Sequence, residues 1–232
     1  MQNFTKQLFF PLFAVAIVTA CSQSSNKTAS EEMTDSTTTE AVTESPTIEV
    51  EYPLNANRAT KEELVSVDQI SDDMAQMIIT GRPYLTMTNF HKAVSDIVTD
   101  SSREDFYKMV FVPINLNTAE ESEFLLVPGV GDKMAHEFEE YRPYTKVAQF
   151  RREIGKYVDE EMVAEYEKYV FVPANLNTAT DEEFLAIPGV GERMLHEFKE
   201  YRPYQNIEQF RREIGKYVSE DEVALFERYV TL

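Results

Sequence analysis

The sequence predicts an all-α fold: three tandem 60-residue units of four short helices each, behind a disordered tether. Three observations carry this. A repeat with a period of 60 begins at Pro53, Pro113 and Pro173, and such self-similarity is the mark of a repeat architecture. Helix-start signals and helix-stopping prolines recur in register along it. No stretch alternates apolar and polar residues long enough to read as a strand. The units span 53–112, 113–172 and 173–232.

The first segment, 1–20, reads as an export address. Lys6 precedes an apolar run from Leu8 to Ala20, too short for a comfortable membrane span. Val18-Thr19-Ala20-Cys21 then resembles the lipobox of bacterial lipoproteins, which implies lipidation of Cys21, the single cysteine of the chain. That resemblance places the protein in the bacterial cell envelope, and Ser22 after the cysteine points to the outer membrane. With one cysteine, no internal disulfide forms. Residues 21–52 are rich in Ser, Thr, Glu and Ala and hold too little apolar surface to order themselves. They read as a solvated tether reaching roughly 30 Å. Within it, Asp35-Ser36-Thr37 resembles a bacterial O-glycosylation signal.

Asn55-x-Asn57, Asn115-x-Asn117 and Asn175-x-Asn177 open the units, the second asparagine of each pair reading as a backbone partner before helix one. Thr60-x-x-Glu63 and Thr180-x-x-Glu183 are capping boxes that start helix one. Glu120 replaces the threonine in unit two, which weakens that cap. Phe124, Leu125 and Val127 give the helix a short apolar face, stopped by Pro128. Pro128-Gly129-Val130-Gly131 and Pro188-Gly189-Val190-Gly191 read as hairpins. Their glycines supply positive φ and allow close approach of a backbone. Helix two follows, from about Asp132 to Tyr141, and the Arg-Pro-Tyr turn at 142–144 breaks it. Tyr144 and Tyr204 are expected to pack beneath that turn. Helix three carries Phe150, Ile154 and Tyr157, and helix four Val163, Tyr166 and Val170. Phe111-Val112-Pro113 and Phe171-Val172-Pro173 are short apolar joints, so the units should touch. Units two and three agree at 38 of 60 positions; unit one is more diverged.

Asn-Leu-Asn-Thr-Ala at 115–119 and 175–179, an apolar helix, Pro-Gly-Val-Gly, an acid, a base and a helix ending in Tyr-Arg together resemble the helix-hairpin-helix family. The set is similar in particular to the paired module of the ComEA competence DNA receptors. The resemblance covers most of units two and three and implies a double helix-hairpin-helix per unit. It also implies that hairpin amides bind duplex DNA phosphates without reading sequence. By position the contacts fall on Gly129, Val130, Gly131 and Lys133, and on Gly189, Val190, Gly191 and Arg193. Unit one has Asp68-Gln69-Ile70-Ser71 in place of the hairpin and should bind no phosphate. The extrinsic photosystem II subunit U resembles the same module and serves in protein docking, so the fold leaves the role open.

Charge pulls the other way. The chain carries 41 acids against 22 lysines and arginines, a formal net charge of −19, which repels nucleic acid at long range. Glu137, Glu139 and Glu140 are expected close to where phosphates would pass. The densest basic spots, Arg151, Arg152 and Lys156 with Arg211, Arg212 and Lys216, are either secondary phosphate contacts or partners of nearby glutamates. His136 and His196 each have a glutamate four residues on, a surface pair with no further metal ligand in view. No nucleophile–base–acid set, Walker loop or paired-carboxylate cleft stands out, so no enzyme, metal or cofactor is expected. Two readings remain: a non-enzymatic envelope lipoprotein that binds duplex DNA, and an acidic protein-interaction scaffold for an envelope partner with no DNA binding.

Overall fold

Seven of the twelve described helices begin where a short polar side chain accepts one of the first free amides. In the computed structural model, which describes residues 52–232, Thr60 and Thr180 make complete capping boxes. Ser71, Thr86, Asp159, Asn206 and Ser219 cap five more helices. Such caps are worth about 1 kcal/mol each. Glu120 makes no cap bond, and the helix after it is only four residues long. The export segment, Cys21, Asp35-Ser36-Thr37 and all of the tether before Tyr52 lie outside the described residues.

The protein is mostly helical, and twelve helices are described. The first four are α1 (Lys61–Val65), α2 (Asp72–Thr80), α3 (Met87–Val94) and α4 (Arg103–Met109). Next come α5 (Glu121–Phe124), α6 (Asp132–Glu140), α7 (Val147–Ile154) and α8 (Glu160–Glu167). The last are α9 (Asp181–Leu185), α10 (Glu192–Glu200), α11 (Ile207–Ile214) and α12 (Glu220–Glu227). Among the described residues none is long and apolar enough to cross a membrane.

Six two-residue strands were not expected. Leu54–Asn55 (β1) pairs in parallel with Val110–Phe111 (β2), Ile114–Asn115 (β3) with Val170–Phe171 (β4), and Ala174–Asn175 (β5) with Val230–Thr231 (β6). Pairs this short carry no period in the sequence. They form because the β-prone joints bring each entering segment beside the exit that lies 56 residues later, as in Leu54↔Val110.

The Arg-Pro-Tyr turn is a clamp rather than a mere helix breaker. Arg142 donates to the Leu116 and Ala119 carbonyls at 2.5 and 2.6 Å and lies over the Phe124 ring. Arg82 and Arg202 repeat this on the carbonyls of residues 56 and 59, and 176 and 179. The second asparagine does not act locally, as expected, but reaches 27 residues on. Asn117 donates to the Tyr144 carbonyl at 2.8 Å and accepts from its amide at 2.7 Å. A side-chain amide carries both a donor and an acceptor, so it satisfies the N–H and the C=O of one residue together. The first asparagine takes the local task, its Asn115 oxygen accepting from the Asn117 amide. Tyr144 and Tyr204 are buried beneath their turns.

Phe138 anchors the middle of the core edge-to-face against Phe124, Phe150 and Tyr166. Phe198 does the same with Phe184, Phe210 and Phe226. The joints touch through aromatic pairs, Phe111 on Tyr169 and Phe171 on Tyr229. Distant segments also meet: Arg58 pairs with Glu222 at 2.7 Å, and Arg228 donates to the Pro113 carbonyl at 2.6 Å.

Candidate nucleic-acid interface

The two glycines of each hairpin have different work. Gly129 and Gly189 stand at φ +77° and +90°, where any side chain would be strained. Tyr166 donates its hydroxyl to the Gly129 carbonyl at 3.1 Å. At Gly189 the matching residue is Phe226, and the Arg58 guanidinium lies over its ring, within 2.5 Å of where a Cβ on Gly189 would stand. These first glycines are therefore fixed by the turn and its packing.

Gly131 and Gly191 are not. Both are extended, at φ −105° and −104°, a conformation open to any residue. A Cβ at either would meet nothing within 4 Å. Ser71 holds the matching position ahead of α2, in similarly extended backbone, and its hydroxyl accepts from the Met74 amide at 3.3 Å. The glycines forgo that cap, so the starts of α6 and α10 have no side-chain acceptor. Residues 131–133 and 191–193 are exposed. Their amides have no hydrogen-bond partner among the described residues. Free amides at a helix start, with the helix dipole behind them, favour an anion.

Val130 and Val190 drop out of the set expected from the sequence. Their side chains are buried, and their amides already donate to the Val127 and Ile187 carbonyls at 3.0 Å. Lys133 and Arg193 remain: among the described residues neither forms an ion pair. Each lies 5.8 Å over a tyrosine ring, Tyr157 and Tyr217 respectively. Those rings are steadied by a second tyrosine, with the Tyr141 and Tyr157 hydroxyls 2.8 Å apart and Tyr201 and Tyr217 the same. The bond to Tyr141, and then one to Glu137, push the Tyr157 hydroxyl well above its ordinary pKa.

Glu137 is not on the phosphate path. It and Glu197 are buried at 8 % and 9 % exposure, because the residue before Phe138 on α6 also turns inward, toward the tyrosine pair. Glu139 pairs with Arg142 at 3.3 Å and Glu140 with His136 at 3.9 Å.

All six secondary cations are engaged by carboxylates. Arg151 grips Glu167 with two bonds, at 2.5 and 2.8 Å, and Arg211 grips Glu227 likewise. Arg152 and Lys156 share Glu153, while Arg212 and Lys216 share Glu213. Lys156 first and Arg152 second hold Glu153 below the usual glutamate range.

Two cations missed in the sequence stand near the hairpins: Arg58 against Gly189, and Arg103, which with Glu104 and Tyr107 lines a cavity of about 300 Å³ beside residues 125–131. Position 58 differs from its counterparts Thr118 and Thr178, which was the available signal for the first. His136 and His196 are exposed, and no group of three metal-capable side chains occurs among the described residues. The fold and these two opened helix starts define a mostly helical protein with a pair of candidate anion sites. No protein-family model matches the chain, and neither does any curated protein or solved structure.

Proposed function

We propose that the chain is a helix-hairpin-helix repeat protein, with three double helix-hairpin-helix units of which the first is degenerate. It holds duplex DNA without sequence preference and without catalysis. The contacts are the main-chain amides at Gly131–Lys133 and Gly191–Arg193, with the Lys133 and Arg193 side chains. One observation carries this reading. The chain places serine where a helix start needs only a cap, and glycine where that start is left free, although neither backbone nor packing demands glycine there. The motif set around Pro-Gly-Val-Gly supports the same reading.

Affinity is modest on this account, because two cations rather than eight are free to displace counterions. Titration with a fluorescent duplex at rising salt tests it. Non-specific Kd values of about 10⁻⁶ to 10⁻⁴ M are ordinary for such contacts. The reading carries an address with it: a lipid on Cys21 holds the protein to the envelope, in the outer membrane. Incorporation of labelled fatty acid should vanish in Cys21→Ser, and incorporation that persists in the variant would overturn the anchor.

A specific observation favours a second reading, the acidic interaction scaffold. The six cations that would widen a DNA footprint are neutralised within the chain, which leaves a surface suited to cationic polypeptides.

A further inference from the structure

Two slots of the same construction lie along the chain, one filled and one open. The first is lined by Leu85 and Thr86 and by residues of the 114–123 segment, among them Asn115, Thr118 and Glu123. Every one of these seven residues has a counterpart 60 positions on that lines the second slot, including Asn175, Thr178 and Glu183. The eighth residue of the first slot is Arg228, which arrives from the far end of the chain. With Arg228 in place the first slot measures about 130 Å³. The second measures about 860 Å³, and no arginine lines it.

The filled slot shows how the side chain is held. The Arg228 guanidinium donates to the Pro113 carbonyl at 2.6 Å and packs over the Phe171 and Tyr229 rings at 5.8 and 5.4 Å. The Asn115 side chain donates to the Arg228 carbonyl at 3.4 Å. Burial disfavours the arginine's charge, and Tyr229 and Glu123 act against that loss. The open slot repeats the Pro173 backbone, the Asn175 side chain and the Glu183 carboxylate, with Thr231 where the first has the Phe171 ring and Lys146 where it has Thr86. The net charge of −19 favours a cationic visitor.

We propose that the slot between residues 143–147 and 173–183 is a docking site for an arginine side chain carried on a partner polypeptide. The arginine is followed by an aromatic residue, as Arg228 is by Tyr229. Neither the phosphate contacts nor the hairpin glycines enter this proposal, so it stands or falls separately from DNA binding.

The probe is a synthetic peptide of the chain's own segment Leu225–Thr231, titrated into the isotope-labelled protein and followed by backbone amide shifts. Shifts should gather at Thr178, Ala179 and Glu183. A peptide with alanine for arginine should bind at least about tenfold more weakly, as expected when an anchor side chain is removed. Thr178→Trp, a change at an exposed position that fills the slot, should abolish the shifts. Arg228→Ala should uncover the first slot and add shifts at Thr118 and Glu123; if that variant does not fold, the Thr178→Trp comparison carries the test. Equal binding of the alanine peptide, or no shift at millimolar peptide, would overturn the proposal.

Discussion

Gly131→Ser combined with Gly191→Ser should leave the protein folded and slightly more stable, yet cost it most of its DNA affinity. Serine at a helix start is better than glycine by a few tenths of a kcal/mol, and a Cβ at either site meets nothing within 4 Å. The hydroxyl would cap the Met134 or Met194 amide, as Ser71 caps Met74 ahead of α2, and would stand where a phosphate must approach the open amides of residues 131–133 and 191–193. A charge-assisted bond from such an amide to phosphate is worth about 1.5–3 kcal/mol, so each serine should weaken duplex binding by roughly ten- to a hundredfold. Thermal melts and a duplex titration, run on one preparation, read both halves. A variant that binds DNA as the parent does would show that these amides never met phosphate.

Phe138→Ala should be the most destabilising single change in the α5–α8 segment. Phe138 is fully buried, with ring centroids 5.4, 5.0 and 5.6 Å from those of Phe124, Phe150 and Tyr166. Truncating such a ring costs about 3–5 kcal/mol, since the surroundings collapse only in part. The effect reaches the hairpin, because Tyr166 also holds the Gly129 carbonyl. Urea unfolding measures it as a lower midpoint. A loss under about 1 kcal/mol would mean that the site repacks and that α6 is held by something other than this aromatic cluster.

What the sequence made legible was local or periodic. Thr60 and Thr180 announced their helices because a capping box is complete within four residues. Glu120 announced a weak start, and α5 is correspondingly short. The glycine hairpins were visible as motifs. Interactions across long separations were not. The bond from Asn117 to Tyr144 spans 27 residues, and nothing near Asn117 marks it. The motif puts Glu137 close to passing phosphates, whereas the structure buries its side chain. For the basic clusters the sequence leaves phosphate contact and pairing with glutamates both open, and the structure shows the pairing, Arg151 with Glu167, 16 residues away. Arg58 reaching Glu222 could not be read from either residue alone.

Among these residues the balance of charge and open amides decides the role, and one measurement weighs it most directly. The protein is titrated with a duplex of arbitrary sequence at about 50 and 200 mM salt. With two free cations meeting phosphate, the logarithm of affinity should fall against the logarithm of salt with a slope near about −2. That slope should flatten toward zero in Lys133→Ala with Arg193→Ala. No binding at the lower salt, or a slope that ignores the loss of both cations, would contradict the account.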